Sequence, residues 1–234
     1  MLTLLLAIAA FTVIFTVAHV WVQARVEPDF NRAFKLSRGI AAVTLTVVGF
    51  VGVMSALEHW RTGFLYAHAP DDILRWGVAL AYGHLLSDFI WMARGRSKYQ
   101  IKPRRDLLIH HGLGAVAYAY SMYAEVGYAL VMLSLASEVM PCFTGLEAWG
   151  KHRDRPGTQL LAARARLLVL MFWRIPLWAF ALTMLSQTAL NGGMQEGLEF
   201  IYKFSIACLT FLLGLDLYWV KKCAAAWTPA TSAA

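Results

Sequence analysis

The sequence predicts an all-α, polytopic membrane protein, and three observations carry that prediction. Hydrophobic residues make up 59% of the chain against 15% charged, with mean hydropathy +0.54, which lies outside the range of soluble domains. A bilayer core of about 30 Å takes about 20 apolar residues in helix. Seven stretches fit: Leu2 to Val22, Ile40 to Leu57, Ile73 to Met92, Leu107 to Tyr123, Val126 to Leu146, Leu167 to Leu190 and Leu198 to Val220. Basic residues gather in alternate gaps: Arg25 to Arg38, Arg94 to Arg105, Lys151 to Arg166, then Lys221 and Lys222. By the positive-inside rule this orients seven transmembrane helices with the N-terminus outside and the C-terminus cytoplasmic. The net charge of +7 is therefore read as topology, and no nucleic-acid partner is expected.

Taken in order, the first stretch lacks a basic leader and is longer than a signal-peptide core, so it is read as a retained span. Residues 1–37 form this span and its basic loop, 38–223 a six-helix membrane domain, and 224–234 a flexible tail. The fourth and fifth stretches are separated only by Ala124-Glu125, which predicts a tight antiparallel hairpin. Pro141 and Pro176 fall inside spans, where a missing N–H leaves the carbonyls of Ser137 and Phe172 without their helical donors. Cys142, Cys208 and Cys223 show no metal-binding or disulfide spacing. Trp60, Tyr66, Trp76, Trp91, Tyr99, Trp149 and Trp219 read as interfacial belts.

Ionisable residues inside apolar stretches are costly and usually paired or used. His110 and His111 open the fourth span, and with the predicted orientation they share a cytoplasmic depth with His84, Asp88, Glu138 and Asp216; Arg174 lies somewhat deeper. His84 and Asp88 are four apart on one helix face, as are His110 and Gly114 in a stripe continuing to Ala117 and Ser121, while His111 aligns with Tyr118. A desolvated imidazole is biased towards its neutral form, with a nitrogen free to act as nucleophile or base, and a carboxylate can orient it. His110 and His111 with Glu138 and Asp88 thus form the candidate acyl-transfer centre. Arg174 reads as a counter-ion. His19, His59, His68 and His152 read as background at span ends and in loops. A haem site would need histidines facing across helices, as His84 and His110 could, but no second pair supports it.

The order basic loop, short span opening His110-His111, tight hairpin, and a span carrying Ser137-Glu138 and Pro141 resembles the TLC-domain family. That family includes the ceramide synthases and the translocating-chain-associated membrane proteins. Tyr82-Gly83-His84-Leu-Leu-Ser-Asp88 resembles the family's tyrosine- and aspartate-bearing span before the histidines. The resemblance implies a TLC-type barrel of six helices around a lipid cavity, with one additional N-terminal span. It further implies that His110 and His111 transfer an acyl group from acyl-coenzyme A to a lipid amine or hydroxyl. The chain keeps Leu146-Glu147 and Lys151 but carries Glu138 where the synthases have a His-Asp pair, which resembles shorter members concerned with phospholipid composition.

On this reading His84, Tyr82, Gly114, Tyr118, Ser121, Arg174 and Asp216 are candidate lipid-binding residues, and Arg104, Arg105 and Lys151 candidate contacts for the coenzyme A phosphates. Acyl-coenzyme A is the expected co-substrate, with no bound cofactor and no metal. Membrane lipids are the expected partners, and a homodimer is left open. A non-catalytic lipid-binding or lipid-sensing protein is the alternative. Bacterial inner membrane and endoplasmic reticulum fit the orientation equally.

Overall fold

A computed structural model describes residues 2–57, 72–191 and 197–225. Among these residues every regular element is helical: α1 (Leu2–Arg25), α2 (Phe30–Leu57), α3 (Asp72–Tyr99), α4 (Arg105–Ala124), α5 (Tyr128–Ala136), α6 (Val139–His152), α7 (Pro156–Val169), a π-helical turn (Leu170–Arg174), α8 (Ile175–Leu190) and α9 (Glu199–Ala225). Five helical segments are long and apolar enough to cross a membrane: α1, α2, Tyr128–His152, Pro156–Leu190 and Glu199–Ala224. The chain is a helical protein built for a membrane. α3 and α4 match the third and fourth predicted stretches but stand outside that set; they carry Arg75, His84 and Asp88, and His110 and His111. His59, His68, Trp60, Tyr66 and residues 226–234 lie outside the described residues.

The chain divides into two compact units, Met1–Gln159 and Leu160–Ala234. In the first, α1 packs on α3 and α2, α2 on α5 and α6, and α3 on α4 and α5. α2 approaches its partners through small residues. A Cβ on Gly49 would lie 2.2 Å from the Ala136 nitrogen, and one on Gly39 would lie 2.8 Å from the Gly145 Cα. Such backbone-to-backbone contact is how helices adhere where no hydrophobic force separates them from lipid. Leu45, Leu74, Val78, Met132 and Leu135 fill the core beside this seam.

The predicted hairpin is present, with residues 125–127 between its helices where the sequence reading left only Ala124-Glu125. α4 ends at Ala124, Glu125 and Gly127 both take positive φ (53° and 73°), and α5 begins at Tyr128. Glycine at the second position avoids the Cβ clash of that conformation. Across the hairpin the Tyr118 hydroxyl and Ser134 Oγ are 2.5 Å apart. The fifth predicted span is interrupted at Ser137-Glu138, between α5 and α6. Pro141 cannot donate to the Ser137 carbonyl, and the Glu138 N–H bonds instead to the Leu135 carbonyl at 2.9 Å, three residues back.

α2 begins at Phe30, ten residues before the apolar stretch that announced it, so Ser37 and Arg38 are helical. The turn before it is tied by Glu27, which is 1% exposed. Its carboxylate accepts from Arg32 Nε at 2.9 Å, Arg32 Nη2 at 3.2 Å, the Asp29 N–H at 2.9 Å and His152 Nδ1 at 2.9 Å. His152, read from sequence as background, thus joins the end of α6 to this turn. Burial raises the Glu27 pKa, but these bonds outweigh it and hold the carboxyl below the ordinary carboxylate range. A depressed carboxyl contributes stability above its unfolded pKa and loses it as pH falls through the folded one. The melting temperature of the wild type should therefore exceed that of Glu27→Gln near neutral pH, with the gap closing as pH drops below the ordinary carboxylate range. A gap independent of pH would contradict this account.

In the second unit α8 and α9 pack on each other and on the π-helical turn. Pro176 cannot donate to the Phe172 carbonyl, and just upstream the Ile175 N–H reaches back five residues to Leu170. The local widening ends at Arg174, which is 1% exposed and directed at Asp216 of α9, itself 0% exposed. The guanidinium donates from Nε to Oδ2 at 2.9 Å and from Nη2 to Oδ1 at 3.1 Å; Trp178 Nε1 donates to Oδ2 at 2.9 Å. Arg174 is thus the counter-ion of Asp216, as its place in an apolar span suggests.

Candidate functional site

Asp88 is the centre of the polar cluster in the first unit. α3 carries His84, Asp88 and Trp91 within two turns, and all three are buried. The α3 face that bears them packs against α1, α2 and α4, so four helices deliver side chains to one wholly buried carboxylate. Arg38 Nε of α2 lies 2.7 Å from Asp88 Oδ2. His111 Nε2 of α4 lies 2.8 Å from the same oxygen, His19 Nε2 of α1 lies 3.3 Å from Oδ1, and His84 Nε2 lies 3.8 Å from Oδ2. One anion and one guanidinium balance each other, and three imidazoles surround them. A buried charge without such compensation would cost on the order of several kcal/mol.

The cluster corrects the reading of His19. That residue is 1% exposed, not a background histidine at a span end; its Nδ1 is hydrogen-bonded to Ser37 Oγ, and its ring lies 5.4 Å from Phe34 and 5.2 Å from Trp91. Trp91 is also no interfacial residue: it is wholly buried and stacks on Phe30 at 4.8 Å. Trp219 is buried as well, under the Arg174 guanidinium at 5.7 Å. Ser37 and Arg38 were not singled out, since they precede the second apolar stretch. Depth was the available signal, because Arg38 adjoins the expected cytoplasmic end of its stretch as Asp88 approaches that of the third.

His110 points elsewhere. Its ring centroid is 5.5 Å from that of His111, and its Nε2 is 4.0 Å from Glu138 Oε1. Both side chains are 16% exposed, against 2% for His111. Glu138 is available there because the break before α6 frees it from helical register, and it makes no capping bond to the helix behind it. The histidine pair is therefore divided, with His111 turned into the Asp88 cluster and His110 turned towards Glu138.

The remaining candidates take varied places. Tyr82 and Tyr118 are half-buried against the apolar core, and Ser121 is buried. Gly114 faces Leu85, where a Cβ would meet that side chain at 3.2 Å, so it serves helix contact. Arg104 pairs with Asp106, Arg105 is exposed at the start of α4, and Lys151 Nζ lies 2.8 Å from Glu147 Oε1. Arg174 and Asp216 belong to the second unit and bind each other. Among the described residues no group of three or more His, Cys, Asp or Glu is arranged to hold a metal ion. Comparison with family models, with curated proteins and with solved structures finds no match for this chain.

Proposed function

We propose that the protein is a membrane-embedded lipid acyltransferase of the TLC type, moving a fatty acyl group from acyl-coenzyme A to a lipid amine or hydroxyl through His110. The observation that carries this reading is the division of the histidine pair: one ring fixed by a buried carboxylate, the other partly exposed and opposite a second carboxylate. His110 attacks the thioester carbonyl carbon, the C–S bond breaks, and coenzyme A leaves as a thiolate that takes up a proton. The acceptor's nitrogen or oxygen then attacks the acyl-imidazole carbon, the C–N bond breaks, and the acceptor's proton passes through the released ring to solvent, matching the one that coenzyme A took up. Glu138 stabilises the positive ring that forms in the first step, and the neighbouring His111 assists the proton transfer of the second.

The reading includes seven spans, with α3 and α4 crossing the membrane beside the five more apolar segments, and with the polar cluster on the cytoplasmic side. His84, Asp88 and His111 face neighbouring helices rather than lipid, which lowers the cost of crossing. Arg104, Arg105 and Lys151 lie at the basic helix ends suited to coenzyme A phosphates. Bacterial inner membrane and endoplasmic reticulum both meet these requirements.

Intact-protein mass spectrometry tests the chemistry. Incubated with a long-chain acyl-coenzyme A, the wild type should gain the mass of one acyl group, His110→Ala should not, and His111→Ala should gain it more slowly. Absence of both an adduct and any acylated lipid, with all three proteins folded, would overturn the reading. One observation favours the second reading, a lipid-binding protein without catalysis: Asp88 holds His111, His19 and Arg38 around itself. That reading expects native mass spectrometry to retain phospholipid while no acyl transfer occurs.

A further inference from the structure

We propose that His19, contributed by α1, is a positioning residue: by holding Asp88 out of the Arg38 fork it decides which nitrogen of His111 carries the proton. An ionised carboxylate only accepts hydrogen bonds, so at 2.8 Å from Asp88 Oδ2 the His111 Nε2 must bring the proton. The neutral ring then keeps its lone pair on Nδ1, a buried atom with no hydrogen-bond partner among the described residues.

Arg38 offers a competing arrangement. Its Nε is 2.7 Å from Asp88 Oδ2, but this is an ion-pair contact in which the N–H finds no aligned acceptor. Its Nη2 is 3.5 Å from His111 Nε2. Guanidinium and carboxylate favour two parallel hydrogen bonds, and a rotation of Asp88 into that fork would withdraw Oδ2 from His111. His111 Nε2 would then accept from Arg38 Nη2, and the ring proton would move to Nδ1.

The fork needs both carboxylate oxygens, and His19 occupies Oδ1 at 3.3 Å. The Asp88 carboxylate only accepts, so His19 Nε2 brings the proton to Oδ1, and the neutral ring's Nδ1 accepts from the Ser37 hydroxyl. Ser37 Oγ also lies 2.9 Å from the Ala33 carbonyl and 3.2 Å from that of Phe34. The N-terminal helix, accessory in the sequence reading, thereby completes the centre.

The tautomer stands independently of the acyl-transfer reading; only its kinetic consequence rests on that reading. The test is long-range ¹H–¹⁵N correlation of histidine-labelled full-length protein in nanodiscs, with the His111 signals assigned by His111→Gln. In the wild type His111 should be protonated on Nε2 alone. His19→Phe, which keeps the ring packing and removes the donor, should move the proton to Nδ1, and His19→Gln should restore the wild-type pattern. Should His19→Phe not fold, His19→Asn, whose amide is too short to reach Asp88, takes its place.

A wild-type spectrum with His111 protonated on Nδ1, or a pattern unchanged on losing the donor, would overturn the proposal. In acyl transfer the donor-less variant should lose about tenfold or more in kcat with KM within about threefold, and His19→Gln should recover. A tautomer shift without acyl transfer in any variant would sink the function and leave this inference standing. Acyl transfer without a shift would do the reverse.

Discussion

Asp88→Ala is expected to cost roughly 3–5 kcal/mol of stability, the range for removing one partner of a buried ion pair. The carboxylate is 0% exposed and its departure leaves Arg38, with a side chain 14% exposed, uncompensated inside the helix bundle. It also removes the acceptor of His111 and His19 at one stroke, so contacts among α1, α2, α3 and α4 are lost together. Asp88→Asn should lie close to the alanine variant, because an amide keeps the shape but not the charge. Arg38→Met combined with Asp88→Leu should recover much of the loss, since exchanging both charges for apolar groups of similar size removes the desolvation cost on each side. Unfolding in mild detergent, by heat or graded denaturing detergent, measures all three variants against the wild type. A single-variant loss under about 1 kcal/mol would mean that water reaches the cluster and screens it.

Arg174→Ala should be comparably damaging in the second unit, again by roughly 3–5 kcal/mol. Among the described residues Asp216 would keep only the Trp178 N–H, one donor for a wholly buried carboxylate. Arg174→Lys should fall between wild type and alanine: the charge remains, but an ammonium cannot supply the planar pair of bonds that now reaches both oxygens. Trp178→Phe removes one neutral donor and should cost about 1–3 kcal/mol. That ordering, alanine worst and phenylalanine mildest, is the check. If lysine proves as good as arginine, charge alone matters and the fork geometry set by the π-helical turn does not.

Polar residues set in apolar stretches are legible because a charge in lipid must have a reason, and the sequence exposes the anomaly without any structure. His110, His111, Glu138, Arg174 and Asp216 all stood out in this way, as did the breaks at Pro141 and Pro176, where a missing N–H acts locally on its own helix. The hairpin between α4 and α5 was equally local. What a residue does within four positions of itself can be read along the chain.

Partnership could not be read so. Asp88 meets His19 across 69 residues and Arg38 across a different helix pair, and nothing in the spacing of either announces the other. His19 looked like a span-end histidine and Arg38 like a loop charge, because hydropathy marks only where the apolar stretch begins, and α2 starts ten residues earlier. The sequence by itself determined a helical membrane protein with costly polar residues at particular points. The packing of α1, α2 and α4 on α3 alone decided that three imidazoles and a guanidinium share one carboxylate, since a buried charge is stabilised by whatever the fold brings to it.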